Sequence, residues 1–158
     1  MLLIADTTVI SNFAYANRLD LLKSIGNTCT TVEVMNELQA AKRKGVLQIG
    51  FSNIFIEILR MDEDEMDTFI RLNSKFGRGE ASCLAIALHR NASILTDDLD
   101  ARRFAQQGSI SVSGSVGILV KAIDRGRLSK EQGNHLLHLM IAKGYYSPVE
   151  TLDQFLSR

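Results

Sequence analysis

Short apolar runs alternate along this chain with amphipathic helical patterns, and this alternation restricts the fold more than any other feature. The runs suited to buried strands lie at Leu2 to Ala5, around Asn27 to Thr30, at Phe55 to Leu59, at Ser93 to Thr96 and at Ile110 to Val112. Strands that alternate with helices are typical of parallel sheets, because each parallel connection must cross back over the sheet. The pattern therefore predicts an α/β fold with a mostly parallel central sheet and helices on both faces.

Capping residues mark where several of the helices begin. The predicted capping boxes of the first half are Thr30 with Glu33 and Asp62 with Glu65. Further along, Asp98 or Asp100 is expected to cap the helix that carries residues 102–107. These signals place helices in the gaps between the apolar runs.

The C-terminal part of the chain is predicted to be wholly helical from about residue 114. A capping box at Ser129 and Gln132 opens one helix of this extension. Ser147 followed by Pro148 predicts a last helix, because proline is well tolerated at a first helical position.

Length and composition favour one domain over residues 1–158. The chain has no Pro/Ser/Gly-rich linker and no repeat, and its 18 basic and 18 acidic residues leave no net charge that would by itself attract nucleic acid or a membrane. No apolar run approaches the roughly 20 residues that a membrane span needs. Two distant cysteines, Cys29 and Cys83, lack a CxxC spacing and are expected to be reduced core residues of a cytoplasmic protein.

Acidic residues follow the predicted strands or open the predicted helices. Asp6 comes directly after the first strand, Asp97 and Asp98 follow the fourth, and Glu80 opens the very apolar helix 81–88. In a parallel sheet the functional crevice lies beyond the carboxyl ends of the strands, so we expect these groups to converge, together with Glu37, if the first and fourth strands are neighbours. Carboxylates about 4 Å apart repel by on the order of 4 kcal/mol at an effective dielectric of 20, which favours a bound counter-charge. Oxygen ligands without a Cys or His cluster favour Mg²⁺ or Mn²⁺.

The ordered motifs of the chain resemble those of the PIN-domain family of metal-dependent nucleases. The resemblance rests on ADTTVISN, VMNEL, GRGEASCLAIA, SILTDDLDARRFA and SVSGSVGILVKAIDRGRLS, and it spans nearly the whole chain. It is closest to a branch of predicted nucleic-acid-binding PIN proteins related to VapC ribonuclease toxins. The resemblance implies a PIN-like three-layer fold and a metal-dependent endoribonuclease that hydrolyses RNA phosphodiester bonds.

The same resemblance assigns roles to individual residues. Asp6, Glu37, Glu80 and Asp98 match the four acidic positions of the family and are expected to be catalytic, and Asp6, Glu80, Asp98 and Asp97 are the expected ligands of Mg²⁺ or Mn²⁺. Asp97 and Asp100 flank the fourth position, and the motif leaves open which of these aspartates faces the metal. RNA contacts are expected at Arg78, Arg102 and Arg103.

Partners follow from the resemblance as well. Related proteins imply the toxin half of a type II toxin–antitoxin pair, a cognate antitoxin that docks across the acidic cleft, and a homodimer.

Other interpretations of the same residues stay open at the level of sequence. Glu80 and Asp98 can be simple helix-start residues, and Glu37 can be a solvated position on a helix face. A phosphoacceptor receiver domain needs an acidic pair after its first strand, where this chain has only Asp6. A catalytically inactive PIN-like module that binds RNA or protein is the main alternative to an enzyme.

Overall fold

A five-stranded, all-parallel sheet forms the centre of the molecule. The computed structural model describes residues 1–50 and 56–156, and its strands are β1 (Leu2–Ala5), β2 (Asn27–Thr31), β3 (Glu57–Leu59), β4 (Ser93–Leu95) and β5 (Val112–Ser113). They lie in the order β3–β2–β1–β4–β5. The first and fourth strands are therefore neighbours, as the acidic pattern required. The predicted parallel α/β fold is confirmed.

Helices flank this sheet. Those in the described part of the chain are α1 (Thr7–Tyr15), α2 (Asp20–Ser24), α3 (Val32–Arg43), α4 (Glu63–Leu72), α5 (Arg78–Arg90), α6 (Leu99–Gln107), α7 (Ser115–Asp124), α8 (Lys130–Ala142) and a short 3-10 helix (Asp153–Phe155). None of the helices within residues 1–50 and 56–156 is long and apolar enough to cross a membrane.

The sheet is central because its inner strands β1, β2 and β4 carry buried residues on both faces. In β1, Ile4 pairs with Cys29 of β2 on one side and with Ile94 of β4 on the other, and all three are buried. Helix α5 packs in the same core, since every residue from Ala81 to Ala87 is buried. The prediction that the apolar run 81–88 is a buried helix is thus confirmed for residues 81–87, whereas Leu88 is 41 % exposed.

Several predicted boundaries agree with the structure and others do not. The capping boxes at Asp62 and Ser129 are present, and Asp98 caps α6. The cap of α3 is Thr31 and not Thr30, so that part of the prediction was wrong. The reason is tertiary: the Thr30 hydroxyl donates to the Ala5 carbonyl in the core, which leaves the next threonine at the helix start.

Two predicted strands differ at their ends. The third was placed from Phe55, a residue outside the described part of the chain, and its described portion begins at Glu57. The fifth was placed at Ile110 to Val112 but runs from Val112 to Ser113. Ile110 is buried all the same, which explains why its apolar character resembled that of a strand residue.

The predicted helix from Ser147 to the C-terminus is wrong. The Ser147 hydroxyl accepts from the Val149 N–H within a turn, and of the described residues 147–156 only Asp153–Phe155 is helical. Leu152 is fully buried and its N–H donates to the Asn134 side chain of α8. The burial of Leu152 and its hydrogen bond to Asn134 hold the tail against α8, and the tail does not form the regular helix that was predicted.

Candidate functional site

Five acidic residues come from elements that end at the carboxyl edge of the sheet. Asp6 follows β1, Glu37 lies in α3 after β2, Asp97 and Asp98 follow β4, and Glu80 lies in the first turn of α5. This is the edge at which parallel α/β sheets bind ligands. The topology thus brings together the residues that the sequence singled out.

Asp6 is the buried centre of this edge. Its side chain is 1 % exposed and caps α1, where Oδ1 accepts hydrogen bonds from the Thr8 hydroxyl at 2.6 Å and from the Val9 N–H at 3.2 Å, and Oδ2 accepts one from the Thr96 hydroxyl. Burial raises the pKa of Asp6 to about 7, although these hydrogen bonds lower it. Asp6 is thus held in place, and its ionised form is disfavoured in the protein alone.

Two threonine hydroxyls connect Asp6 to the loop after β4. Thr8 donates to Asp6 and accepts from the Asp97 N–H at 2.9 Å. Thr96 donates to Asp6 and accepts from the Asp98 N–H at 3.1 Å. The position of both aspartates relative to Asp6 is therefore fixed by hydrogen bonds.

Glu37 lies against the first turn of α5. Its Oε1 accepts from the Thr7 hydroxyl at 2.5 Å, and its Oε2 accepts from the Gly79 N–H at 3.2 Å. A Cβ at Gly79 would overlap Glu37 Oε1. The second glycine of the GRGE motif is therefore a packing requirement, since it allows a carboxylate to reach the helix start.

Glu80 is half-buried and surrounded by like charges. Burial raises its pKa, and the carboxylates of Asp98, Glu37 and Asp100 raise it further, while a hydrogen bond from the backbone of Gly77 lowers it. A Cβ at Gly77 would be 3.8 Å from both Glu37 Oε2 and Glu80 Oε2, so these two carboxylates flank the same small gap. Glu80 is thus a helix-start residue and also a member of a repelling cluster.

Asp97 is saturated with hydrogen bonds from the protein. Its Oδ1 accepts from the Ser115 N–H at 2.8 Å, and its Oδ2 accepts from the Asn12 amide at 2.8 Å and from the Ser115 hydroxyl at 2.5 Å. The Tyr145 hydroxyl also bonds to it, and burial followed by the charge of Asp97 raises the pKa of that tyrosine. A carboxylate has about four acceptor positions, so these donors fill Asp97.

Sequence reasoning did not identify Asn12, Ser115 or Tyr145 as partners at this edge. The Gly-Ser-Val-Gly motif marks only the position of the buried Ser115, whose N–H and hydroxyl donate to Asp97 at the start of α7, and it does not indicate the partner. A Cβ at Gly114 would lie 2.6 Å from Asp97 Oδ1. The first glycine of that motif therefore makes room for the carboxylate.

Asp98 and Asp100 differ in their surroundings. Asp98 is half-buried, and one of its oxygens accepts from the Ala101 N–H at 2.8 Å as the cap of α6. The Asp100 side chain is 76 % exposed and pairs with Arg103 at 3.4 Å. Of the three aspartates after β4, Asp98 lies close enough to Glu80 to raise its pKa, and its carboxylate still has acceptor positions that the cap of α6 does not use.

A cavity of about 580 Å³ opens at this edge. The described residues that line it are Thr8, Ser11, Asn12, Tyr15, Asp97, Asp98, Leu99, Asp100, Arg103, Lys143, Gly144, Tyr145 and Tyr146. Asp98 both lines this cavity and raises the pKa of Glu80. It therefore connects the open cavity to the carboxylates of α3 and α5.

The three arginines predicted to contact RNA have different surroundings. Arg103 is exposed on the cavity wall, whereas Arg102 donates to the Thr96 carbonyl at 2.9 Å. The Arg78 guanidinium lies over the Phe69 ring, 5.2 Å from its centroid. Only Arg103 of these lines the acidic cavity.

The donor set fits a hard divalent cation in its chemistry. It consists of carboxylate oxygens; burial first and the neighbouring carboxylates second raise the Glu80 pKa, and a bound cation would relieve the repulsion among them. Over residues 1–50 and 56–156, no group of three or more His, Cys, Asp or Glu side chains is arranged to hold a metal ion. In place of such a group, Asp6 and Glu37 accept hydrogen bonds from threonines.

Comparison with known proteins gives one finding on the family. A family model described as a PIN domain matches residues 2–158, which is nearly the whole chain. No curated protein and no solved structure matches the chain.

Proposed function

Because the chain belongs to the PIN-domain family, whose members are generally nucleases, we propose that it is a Mg²⁺- or Mn²⁺-dependent endoribonuclease that hydrolyses RNA phosphodiester bonds in the cytoplasm. The observation that carries the proposal is the cluster at the sheet edge, where Glu80 lies among the carboxylates of Asp98 and Glu37. Such repulsion lowers the stability of the folded protein if the carboxylates are only structural, whereas the same negative charge attracts a cation if they form a binding site.

In this proposal Glu80, Asp98 and Asp6 hold the metal. A bound divalent cation would supply a water that is nucleophilic near neutral pH and would neutralise charge on the phosphoryl oxygens. Asp6 is placed by Thr8 and Thr96, and its pKa of about 7 leaves it able to exchange a proton for a cation near neutral pH.

Glu37 and Asp97 have supporting roles in the proposal. Glu37 is fixed by two hydrogen bonds and orients water at its carboxylate. Asp97 was among the sequence-based metal ligands, but we assign it a positioning role, since its oxygens already accept bonds from Asn12, Ser115 and Tyr145.

A pair of variants tests the enzyme with a control two residues away. Asp98→Asn keeps the cap of α6, because asparagine is as good a cap as aspartate, and removes the charge that faces Glu80. Asp100→Asn removes a charge from an exposed side chain on the same helix. RNA cleavage in Mn²⁺ should fall steeply for Asp98→Asn, remain for Asp100→Asn and stop in chelator.

Equal cleavage by wild type and Asp98→Asn would contradict the proposal, since a contaminating nuclease would then explain the activity. The inactive PIN-like module that binds RNA or protein is distinguished by heat denaturation. An enzyme with a metal site should melt at a higher temperature in Mn²⁺, and this shift should shrink in Asp98→Asn.

The toxin role, the antitoxin and the homodimer are part of the same proposal and are supported by the resemblance of the motifs to VapC toxins. We expect a neighbouring gene to encode a small protein whose C-terminal segment brings a basic residue to the acidic cavity. Co-expression should relieve a growth defect caused by the chain, and sedimentation should give the mass of a dimer. A neighbour that neither binds nor protects would remove the toxin assignment and leave the nuclease.

A further inference from the structure

A second cavity, of about 460 Å³, lies beside the acidic one. The described residues that line it are mostly apolar and include Leu99, Val116, Val120, Tyr146, Pro148 and Phe155. Asp97, Leu99, Tyr145 and Tyr146 line both cavities, so the two adjoin at these side chains. Its size falls in the range of small-ligand sites, roughly 300–1,000 Å³.

The packing around this cavity fixes its walls. On one side, Gly114 and Gly117 of the α7 region have no room for a Cβ, because it would meet Asp97 and Ser113. On the other side, Phe155 belongs to the tail that the buried Leu152 holds against α8. The cavity is thus formed by the fold itself, next to the carboxylates.

The mouth between the two cavities exposes apolar surface. Tyr146 is 91 % exposed and Leu99 is 60 % exposed, and both border the acidic cavity as well as the apolar one. Exposed aromatic side chains are the surfaces on which unpaired bases stack. Arg102 and Ser113 add hydrogen-bonding groups to a wall that is otherwise apolar.

Charge limits how RNA can be held here. The acidic cavity carries the three carboxylates of residues 97, 98 and 100 against the two cations Arg103 and Lys143, and the whole chain has as many acidic as basic residues. Apart from the proposed cation at the scissile phosphate, the side chains of this edge therefore offer little attraction to the other phosphates of the strand, the attraction that usually supplies most of the affinity for nucleic acid. Contacts to bases must supply more of the binding free energy.

We propose that the apolar cavity receives one nucleobase of the RNA strand beside the scissile phosphate, with the base stacked on Tyr146. This inference rests on the proposed ribonuclease function and adds the subsite that positions the strand. The base enters past Leu99, and its edge faces Arg102 and Ser113. Sequence preference at one position next to the cleaved bond follows from this arrangement.

The test uses a short single-stranded RNA whose cleavage site in Mn²⁺ has been mapped. Each nucleotide is replaced in turn by an abasic one, and kcat/KM is measured for wild type, Tyr146→Ala and Tyr146→Phe. For wild type we expect one position beside the cleaved bond where base removal lowers kcat/KM about five- to a hundredfold, as for the loss of one stacked base. Tyr146→Ala should lose this sensitivity, and Tyr146→Phe should keep it.

Two further variants separate the cavity from a general surface effect. Val120→Phe fills the cavity from α7 and should lower kcat/KM for the intact RNA more than for the RNA that lacks the sensitive base. Ile70→Ala truncates a side chain that is 63 % exposed and lines neither cavity, and it should leave the abasic profile unchanged.

The outcomes are distinct. Metal-dependent cleavage with a flat abasic profile would overturn the base subsite and leave the nuclease. A sensitive position that persists in Tyr146→Ala and Val120→Phe would also overturn it. No cleavage by wild type would overturn the proposed function and this inference together.

Discussion

Glu80→Gln should make the metal-free protein more stable, although it removes a carboxylate from the start of a helix. Glu80 is half-buried, its pKa is raised by burial first, and Asp98 and Glu37 raise it further. Glutamine keeps the shape of the side chain and removes the charge. The substitution therefore relieves both desolvation and repulsion.

The size of the effect follows from the geometry. Glu37 Oε2 and Glu80 Oε2 each lie 3.8 Å from a common point at Gly77, so they are at most twice that distance apart. Two charges at about 7 Å, with one half in solvent and an effective dielectric of about 40–80, repel by about 0.6–1.2 kcal/mol. Asp98 adds a similar amount, and the lost interaction with the helix N-terminus subtracts about 0.3–1 kcal/mol. The net gain should be about 1 kcal/mol.

Urea denaturation in chelator and in Mn²⁺ measures this gain and its metal counterpart. We expect Glu80→Gln to raise the free energy of unfolding in chelator and to reduce the additional stability that Mn²⁺ confers. The Glu80 pKa is higher in the folded protein than in the unfolded chain, so wild type loses stability as pH rises and this carboxyl ionises. In acid the carboxyl is protonated in both states, and the stability gain from Glu80→Gln should vanish.

Glu131→Gln is the matched control. Glu131 also lies in the first turn of a helix, α8, but it is exposed and not part of the acidic edge. Its substitution should cost about 0.3–1 kcal/mol, the sign expected of a helix-start carboxylate. If Glu80→Gln behaves like Glu131→Gln and leaves the Mn²⁺ effect intact, Glu80 is only a structural residue and the repulsion argument is wrong.

Three other predictions concern stability. Since the Asp6 pKa is raised from 3.8 to about 7, the metal-free protein should lose stability as pH rises between about 4 and about 7. Asp6→Asn should flatten this pH dependence of the free energy of unfolding, measured by urea titrations at several pH values. An equal slope in both proteins would contradict the raised pKa. Gly79→Ala should cost about 1–3 kcal/mol by thermal or urea denaturation, because its Cβ would displace Glu37; a neutral result would mean that Glu37 moves freely. Arg90→Met should cost about 1–3 kcal/mol, because it removes the charge-assisted hydrogen bond to Glu65 at 2.6 Å, while the 34 % exposure of Arg90 and the remaining bond from the Asp62 N–H to Glu65 limit the loss; a loss below about 0.5 kcal/mol would show that the pair resembles a surface salt bridge.

The sequence predicted those parts of the fold that local patterns determine. The strands at β1 and β4, the helix start at Asp98 and the burial of residues 81–87 all follow from a few adjacent residues. Helix α1 was not identified, because Thr7 to Ile10 is rich in β-branched residues that favour strands, and Asp6 overrides this preference as the helix cap. Helix α2 was not identified either.

The partners in the site were harder to predict because they are distant in sequence. Asp97 is bound by Asn12 from 85 residues away and by Ser115 from 18 residues away, and no local spacing indicates either contact. The sequence could therefore indicate that acidic groups gather at one edge. It could not distinguish Asp97, whose carboxylate oxygens accept several hydrogen bonds from the protein, from Asp98, whose carboxylate accepts one as the cap of α6.

The place of β1 in the middle of the sheet has a consequence for how the molecule assembles. Strands β1, β2 and β3 lie within residues 2–59 and can pair early, whereas β4 pairs with β1 from the other side only after a connection of about ninety residues has closed, and β5 then pairs with β4. Asp6 and Glu37 belong to the early half, and Glu80 and Asp98 to the late one. The acidic edge is thus complete only when the two halves meet, through the β1–β4 pair and through bonds such as those from the Gly79 N–H to Glu37 and from Asn12 to Asp97. Amide protection across β1 and β4 therefore measures the integrity of the candidate site as well as that of the fold.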